Sequence, residues 1–501
     1  ADPPVKSAAE AARDGRLVVL VIGNIHGGEV CGKEALPMLA RELSVPHHPI
    51  LKDVIVAMAP IYNADGNERM AKTNRPGQVG PESGMGERGN ARGLDLNRDF
   101  IKLEAPETRA LVRFFNEWNP HLFFDTHTTN GSYHRYTITY EGPRNPAGDG
   151  GVIDYARSRF LPALNTAFEK STGLQAYYYG NFDRDHTHWI SFPPEGRFGT
   201  NYYGLRNRIS VLSEAYSYAP YKTRVLATRD FVREALKLAS THKDKIVKAL
   251  EDAERKTVEA GKSPRDDDRV ALRSEARHLN GAEPIQGYVE KQEDGRRVRT
   301  DEPRDYPAAV MNEFSPVETV SRPFAYLIPA RCDEAVATLQ RHGLDVEELR
   351  EDLDLDVEVY RIEEVAKPSA ARWDRQDVVD LRVTPRNETR RIPAGTRVVR
   401  TAQALGDLAV YLLEPRSEDG LATWKRFGDL KPETDFPTLR LAKPSALLTT
   451  EAEPLAEARK HDQPLTFESV RGPRGGGSFS GSPVAIEWLD ADHWMRRQDG
   501  A

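Results

Sequence analysis

The sequence has 501 residues, enough for about three domains if a domain takes roughly 150 residues. Its 70 Lys and Arg residues and 77 Asp and Glu residues give a net charge of −7, and the two signs are mixed along the chain, which argues against a nucleic-acid partner held by a basic face. No run of about 18 apolar residues occurs, so the sequence shows no membrane span.

The two cysteines, Cys31 and Cys332, lie far apart in the sequence. They exclude a disulfide framework and a zinc site made of several cysteines, so a transition metal would need histidine and carboxylate ligands. The first residues lack the basic segment followed by an apolar segment that marks a signal peptide.

Predicted strands and helices alternate in the first half of the sequence. Short apolar runs, the first of them bounded by Gly15 and Gly23, predict buried strands, and apolar residues spaced three and four apart predict helices. The strands are predicted over residues 17–22, 54–59, 121–124 and 209–212, and the helices over 33–43, 106–118 and 229–254. This alternation is typical of an α/β fold with a mixed, mostly parallel central sheet and helices on both faces, which we assign to residues 1–255.

The second half has a different pattern. Charged residues dominate 256–277, which we predict to be a linker. Short β-like runs such as 408–413 then predict a smaller β-rich domain over 278–445, with one helix over 332–342. The Pro-rich and Gly-rich remainder, 446–501, is predicted to be a linker and the start of a further β domain.

A histidine and a glutamate three residues apart, His26 and Glu29, lie where the first strand leads into a helix. On one helical turn this spacing lets an imidazole and a carboxylate share a cation, although a surface histidine beside a helix-start glutamate has the same pattern. His127 follows another predicted strand, and the carboxyl ends of such strands meet at one edge of the sheet. Two histidines and one glutamate leave the fourth position of a zinc ion open for water, and Asp125 could orient an imidazole.

Two further motifs carry groups suited to hydrolysis. Asn97 and Arg98 offer an amide and a planar guanidinium to a carboxylate, unless the arginine only pairs with Asp95 or Asp99. Glu214 follows the last predicted strand of the first half. A partly desolvated carboxylate there could take a proton from zinc-bound water, or it could be an ordinary strand-end acid.

The sequence resembles the zinc carboxypeptidase family of metallopeptidases across about residues 15–250. The resemblance is carried by five motifs in the family's order, His26-x-x-Glu29, Tyr62-Asn63-x-Asp65-Gly66, Asp95-Leu96-Asn97-Arg98-Asp99-Phe100, Asp125-x-His127 and Leu212-x-Glu214. It implies one Zn²⁺ ion with three protein ligands, one residue that is both general base and general acid, and two residues that bind the C-terminal carboxylate of the substrate. The resemblance assigns the zinc ligands to His26, Glu29 and His127. It assigns the general base and acid to Glu214, and the carboxylate-binding pair to Asn97 and Arg98.

The resemblance also implies an arginine upstream of Asn97 that polarises the scissile carbonyl and stabilises the oxyanion. Arg69, Arg75 and Arg88 compete for this role, and Arg88 is favoured because the residues around it resemble the local pattern of bacterial members. Tyr203 is assigned to the wall of the substrate pocket, without a catalytic role.

Together these assignments imply a zinc metallocarboxypeptidase that hydrolyses the C-terminal bond of peptides with a free carboxylate. A zinc-dependent deacylase of N-acyl amino acids and a non-catalytic peptide-binding module are the alternatives. The β-rich region resembles the accessory region of large bacterial members, which implies an exported protein, periplasmic or extracellular. Family members usually have a helix and two strands ahead of the zinc-binding motif, so we expect elements to be missing before His26 and a sheet edge to be exposed.

Overall fold

The structure is a computed structural model that describes residues 3–129, 131–277, 281–368, 377–445, 452–454, 485–488 and 494–497. It divides into two units, residues 1–455 and residues 456–501. The described part of the second unit is one antiparallel pair of strands, Ala485–Trp488 and Trp494–Arg497. Most of the predicted linker and further β domain over 446–501 lies outside the described residues.

A six-stranded sheet with helices on both faces forms the first part of the larger unit. Its six strands are β1 Leu17–Gly23, β2 Val54–Ala59, β3 Leu122–Thr129, β4 Ile138–Glu141, β5 Ala176–Tyr178 and β8 Ile209–Tyr216. Two further strands, β6 Asn181–Phe182 and β7 His188–Ile190, lie between β5 and β8 in the sequence and belong to another sheet. The helices are α1 Ala8–Asp14, α2 Cys31–Leu43, α3 Ala64–Glu68, α4 Pro106–Trp118, α5 Gly150–Tyr155, α6 Leu161–Thr172, α7 Gly199–Leu205, α8 Tyr221–Thr241 and α9 Lys243–Lys262.

The strand order of this sheet is β2-β1-β3-β8-β4-β5, and its pairs are parallel except for β4 with β8. One face packs against α2, α6 and α8, and the other packs against α4 and α7. Strands β1 and β3 are buried along their whole length, as expected for central strands covered on both sides. The predicted mixed, mostly parallel α/β fold is confirmed, and β2 is an outer strand.

The predicted helix over 229–254 is two helices, α8 and α9, separated at His242. The predicted linker over 256–277 instead contains the end of α9 and a strand that begins at Arg269. The many charged residues of α9 make its apolar face difficult to recognise in the sequence, because only one residue in every three or four of this helix is buried. The buried residues are Ile246, Leu250, Ala253, Thr257 and Gly261.

The β-rich region forms three sheets, with orders β10-β11-β7-β6, β12-β9 and β16-β15-β18-β13-β17-β14-β19. Its strands are β9 Arg269–Arg277, β10 Ala282–Glu293, β11 Arg296–Met311, β12 Glu313–Ser321, β13 Ala325–Ile328, β14 Glu347–Leu349, β15 Leu353–Ala366, β16 Asp380–Ile392, β17 Arg397–Arg400, β18 Leu439–Leu441 and β19 Ala452–Pro454. Its helices are α10 Asp333–Arg341 and α11 Gly406–Leu413. The β-like run over 408–413 is therefore helical. Every residue of α11 is buried, so its sequence lacks the periodic pattern of apolar and polar residues from which a helix and a strand can be distinguished.

The β-rich region packs directly on the α4 and α7 face of the central sheet. One cluster of buried residues joins Phe123 and Tyr202 from the α/β part to Leu272 and Tyr411 from the β-rich part. The hydroxyl of Tyr202 also lies 2.8 Å from Nδ1 of His342. The boundaries at 255 and 278 remain predictions. Among the described residues, no helix is long and apolar enough to cross a membrane.

Candidate active site

A tight turn after β1 carries His26 and Glu29. Asn24 begins the turn with φ 62°, and its side-chain amide donates hydrogen bonds to the carbonyl oxygens of His26, Gly27 and Glu29. A Cβ atom on Gly27 would overlap the backbone of Gly66, so only glycine allows the turn to lie against the long loop after β2. The turn therefore fixes both side chains at the carboxyl end of β1.

The pairing of β3 with β8 places His127 beside Glu214. These two residues are direct partners in the parallel register, so their side chains leave the sheet on the same face. Strand β1 is the neighbour of β3 on its other side. The carboxyl ends of β1, β3 and β8 thus bring the predicted metal ligands and the predicted base to one edge of the sheet.

His26, Glu29 and His127 surround a common point. Nδ1 of His26 lies 2.8 Å from Oε1 of Glu29, and Nδ1 of His127 lies 2.8 Å from Oε2 of the same carboxylate. The candidate ligand atoms all lie within 4.8 Å of one another, and all three residues are buried. Two imidazoles and a carboxylate with this spacing fit zinc.

Each imidazole has a carboxylate behind it. Nε2 of His26 lies 3.0 Å from Oδ1 of Asp95, and Nε2 of His127 lies 2.7 Å from Oδ2 of Asp125. Such carboxylates orient the ring nitrogens that face a metal. Sequence reasoning proposed this role for Asp125 but missed Asp95, although Asp95 belongs to the motif that contains Asn97 and Arg98.

The charges of the three candidate ligands depend on one another. Burial alone would raise the pKa of Glu29, but His26, Arg75 and His127 hold it well below its usual range. Burial would lower the pKa of His127, whereas Asp125 and Glu29 raise it well above its usual value. Without a metal, the proton on His127 therefore supplies the positive charge beside Glu29, and metal binding releases this proton.

Glu214 is the acid at the site without a cation of its own. Burial is the main reason that its pKa is raised to about 8, and nearby His127 only partly offsets this. Its Oε2 atom is buried and has no hydrogen-bond partner among the described residues. A buried carboxylate in this state is suited to accept a proton from a molecule bound in front of it.

A cavity of about 190 Å³ lies in front of these groups. Its lining residues are His26, Glu29, Arg88, Asn97, Arg98, His127, Thr128, Thr129, Tyr179, Phe192, Phe198, Thr200, Leu212 and Glu214. The charged side chains among them, such as Glu29, Arg88 and Glu214, form one part of the cavity wall. Neutral side chains, including two phenylalanines, form another part, so the cavity offers both a reaction centre and a side-chain pocket.

The three competing arginines have different surroundings. Arg88 lines the cavity, donates to Oδ2 of Asp95 at 2.9 Å and lies 3.3 Å from Nδ1 of His26. Arg75 donates to Glu29 and does not line the cavity. Arg69 pairs with Glu87, and about half of its side chain is exposed. Of the three, Arg88 is the one that a bound substrate can contact.

Asn97 and Arg98 lie on a short 3-10 turn, Leu96–Arg98. Oδ1 of Asn97 accepts a hydrogen bond of 2.9 Å from the backbone N–H of Gly199. The guanidinium of Arg98 lies 4.2 Å from the ring centroid of Phe198. These contacts fix both side chains against the N-terminus of α7, where they line the cavity.

The structure does not bring Tyr203 to the cavity. Tyr203 is fully buried and packs against the rings of Phe115 and Phe123, with centroids 4.0 and 4.2 Å away. The phase of α7 turns its side chain toward the core beneath the sheet. Tyr179, which sequence reasoning missed, lines the cavity instead, and its hydroxyl accepts a hydrogen bond of 3.4 Å from the Asn181 amide.

His186 and His188, a possible second metal site by composition, have separate local partners. Nε2 of His186 lies 3.1 Å from Glu290, and Nδ1 of His188 lies 2.7 Å from Asp183. Among the described residues, only His26, Glu29 and His127 form a group able to hold a metal ion. The local contacts account for both histidines without a metal.

Comparisons with known proteins agree with this arrangement. Residues 4–189 match the sequence model of the zinc carboxypeptidase family. Carboxypeptidase 2 of Trichophyton equinum is 24% identical over 470 residues, which cover 87% of this chain and 78% of that protein. Human carboxypeptidase D is 35% identical over 121 residues, which cover 21% of this chain and 8% of that protein.

Among solved structures, the chain is similar to a metallo-carboxypeptidase from Pseudomonas aeruginosa in complex with (2-guanidinoethylmercapto)succinic acid. The TM-score is 0.34 at 17% identity, and the alignment covers 46% of this chain and 59% of that one. The segment that matches the family model contains His26, Glu29, Asn97, Arg98 and His127, and Glu214 lies beyond it. Over residues 4–189, the chain is therefore similar to the zinc carboxypeptidase family.

Proposed function

We propose that the protein is a zinc metallocarboxypeptidase that removes the C-terminal residue from peptides. The observation that carries this proposal is the cavity, which joins three groups in one space. The zinc-binding triad of His26, Glu29 and His127 lies beside the unpartnered carboxylate of Glu214. Arg98 lines the same cavity and offers a cation to a terminal carboxylate.

His26, Glu29 and His127 would hold a zinc ion, which would lower the pKa of a bound water molecule towards neutral and polarise a substrate carbonyl. Glu214 accepts the proton of the attacking water, because its carboxylate is desolvated and has a free oxygen. It then gives that proton to the departing amine. Arg88 donates hydrogen bonds to the oxygen on which negative charge develops.

Asn97 and Arg98 select a substrate that ends within the cavity. A guanidinium binds a carboxylate with two parallel hydrogen bonds, which an internal peptide bond cannot replace. The Asn97 amide nitrogen is available to the substrate because its oxygen is already bonded to Gly199. Hydrolysis is therefore limited to the last peptide bond.

We expect Arg98→Gln to lower kcat/KM for a peptide with a free C-terminus by about 100-fold, because the cationic partner of the terminal carboxylate is lost. The variant should also lose most of its preference for the free acid over the matching C-terminal amide. The measurement is hydrolysis of both peptides by the zinc-loaded wild type and the variant.

Arg92→Gln is the matched control, since Arg92 lies in the same loop and its exposed guanidinium bonds the carbonyl oxygen of Glu104. This control should behave like the wild type. Equal wild-type cleavage of the free and amidated peptides would contradict the role of Arg98. Cleavage of N-acyl amino acids without any cleavage of peptides would contradict the peptidase itself.

The neutral part of the cavity indicates which C-terminal side chain fits. Phe192, Phe198 and Leu212 form an uncharged wall, and the two acids that line the cavity both belong to the reaction centre. Glu141 is the register partner of Leu212, but it is buried behind this wall with Arg144 at 3.4 Å. A lysine or arginine side chain would therefore be desolvated without a carboxylate partner.

We expect peptides ending in Phe or Leu to be preferred over peptides ending in Lys by about tenfold or more. Thr200→Asp adds a carboxylate beside this wall and should change the ratio by about 100-fold in favour of Lys, which removes or reverses the preference. Thr200→Asn is the neutral control of the same size and should keep it. The measurement is kcat/KM for peptides that differ only in their last residue, and a wild-type preference for Lys would contradict the assignment.

We also propose that the enzyme acts outside the cytoplasm, in the periplasm or the medium. The support is the family resemblance described above. Detection of the protein in periplasmic, culture and cytoplasmic fractions tests the proposal, and a protein confined to the cytoplasm would contradict it.

A further inference from the structure

A second depression of about 480 Å³ opens beside the active-site cavity. It lies where the loop after β3 meets β6 and the long ribbon of β10 and β11. Its wall includes Ser132 and Tyr133 from the loop, Phe182 and Arg184 from the segment around β6, and Glu290 and Arg297 from the ribbon. We call it the ribbon groove. The ribbon lies outside the part of the chain that matches the family model.

Asn181 connects the ribbon groove to the cavity. Its Oδ1 atom accepts a hydrogen bond of 3.1 Å from the backbone N–H of Ser132, and its Nδ2 atom donates to the hydroxyl of Tyr179. Tyr179 lines the cavity and Asn181 lines the groove, so this hydrogen bond joins a residue of one space to a residue of the other. Gly131 has φ +123°, and a Cβ atom on it would overlap the Asn181 amide, so only glycine allows this close contact.

The groove lies at a distance that a peptide substrate can reach. Strand β3 leaves the candidate metal site at His127, and Ser132 follows five residues later. Five residues span at most about 18 Å, and an extended peptide covers the same length with about five residues. A substrate with its last peptide bond at the reaction centre therefore places residues upstream of that bond within reach of the groove.

Two acids line the groove, and both have partners. Asp183 lies 2.7 Å from Nδ1 of His188. Glu290 lies 3.1 Å from Nε2 of His186 and 3.8 Å from Arg297. Arg297 also donates a hydrogen bond of 2.6 Å to the carbonyl oxygen of Arg184. In contrast, the exposed guanidinium of Arg184 has no ion-pair partner within the described parts of the chain. The groove thus combines aromatic surface from Tyr133 and Phe182 with an unpaired positive charge.

We propose that the ribbon groove binds the peptide chain upstream of the scissile bond and that Arg184 favours an acidic side chain there. This inference rests on the proposed carboxypeptidase function. It gives the β-rich region a role in substrate selection, because β10 and β11 supply one wall of the groove.

The first measurement is kcat/KM for N-acetylated peptides of two to eight residues that share the same last two residues. The value should rise by about tenfold between two and seven residues, since contacts remote from the reacting bond are used in catalysis. One Asp moved along the seven-residue peptide should raise kcat/KM by about fivefold near the fifth position upstream, as expected for an exposed ion pair. A length-independent kcat/KM would overturn the proposal.

Arg184→Gln should abolish the gain from Asp and leave hydrolysis of the two-residue substrate unchanged. Arg296→Gln is the control, because Arg296 is a second arginine close to the groove, at the start of β11, but does not line it. It should keep the gain. An Asp gain that survives in Arg184→Gln, or an equal loss in both variants, would overturn the role of Arg184.

Binding separates this proposal from the proposed function. The dissociation constants of fluorescently labelled peptides of two and seven residues are measured on zinc-loaded Glu214→Gln protein, which should bind without cleaving. Tighter binding of the longer peptide supports the groove even if the wild type cleaves no peptide, an outcome that would contradict only the carboxypeptidase function. Equal binding of both peptides would overturn the groove.

Discussion

Replacing Glu214 with Gln is expected to reduce peptide hydrolysis by about 10³-fold while zinc stays bound. Glutamine has nearly the same shape as glutamate, but its amide cannot accept the proton of the attacking water. The zinc content should not change, because Glu214 is not among the three residues that form the candidate metal site. Zinc stoichiometry and kcat of the same preparation test both parts of this expectation.

The pH dependence gives a second measure of this carboxyl group. Burial raises the pKa of Glu214 to about 8, and only the deprotonated form accepts a proton, so kcat/KM should rise with pH as the group loses its proton. Bound zinc adds positive charge nearby and moves this limb of the profile to lower pH. The residual activity of Glu214→Gln should lack the limb.

The same shift predicts an effect on the stability of the zinc-free protein. The folded state holds the proton of Glu214 more tightly than the unfolded chain does, so this contribution to stability is present at low pH. It is lost as the pH rises from 4.5, the ordinary value, towards about 8. Thermal unfolding should show a smaller decrease across this range in Glu214→Gln than in the wild type.

Glu234→Gln is a suitable control, because Glu234 is a largely buried glutamate on α8 that does not line the cavity. It should keep its activity and its pH profile. If Glu214→Gln hydrolysed peptides at the wild-type rate, another group would have to be the base.

The parts of the site that follow strands were predictable from the sequence. Strands β1, β3 and β8 each contain a short apolar run, and the residues that follow such runs in a parallel sheet share one edge. This reasoning brings together His26 and His127, and it places Glu214 with them. The order of the motifs along the chain then shows the resemblance to zinc carboxypeptidases, which the spacing of one motif does not.

The orientation of individual side chains was harder to predict. Tyr203 faces the core and Tyr179 faces the cavity because of the phase of α7 and the course of β5, both of which depend on packing. The contact of Asp95 with His26 joins residues 69 positions apart. A sequence pattern gives the spacing of such residues but not which atoms meet.

The contribution of the β-rich region to the site was also hidden. The backbone N–H of Arg197 donates to Oδ2 of Asp419, and the N–H of Gly196 donates to the hydroxyl of Tyr411 at 3.3 Å. These bonds hold the segment before Phe198, which forms part of the cavity wall. Partners more than 200 positions apart have no local pattern that could reveal them.

His127→Ala is expected to lower the zinc content from about one ion per chain to less than about a tenth and to abolish peptide hydrolysis. The reason is that a cluster of two imidazoles and one carboxylate loses a neutral donor and keeps a buried negative charge. The substitution also leaves Asp125 and Glu29 without the imidazole between them, so it should lower the melting temperature. Metal analysis after dialysis, activity and thermal unfolding measure these effects.

His188→Ala is the matched control. His188 is an exposed histidine on β7 that pairs with Asp183, so this variant should keep both zinc and activity. Full zinc content in His127→Ala would contradict the proposed ligand set.

Chelation of the wild type separates loss of the metal from loss of the fold. If His26, Glu29 and His127 hold zinc, a chelator should remove activity and zinc together, and added zinc should restore both. The zinc-free protein should remain folded, because the metal site lies at the carboxyl ends of strands whose buried side chains form the core without it. His127→Ala should not recover activity with added zinc. Recovery of this variant would mean that His127 is dispensable as a ligand, whereas unfolding of the wild type on chelation would mean that the metal has a structural role.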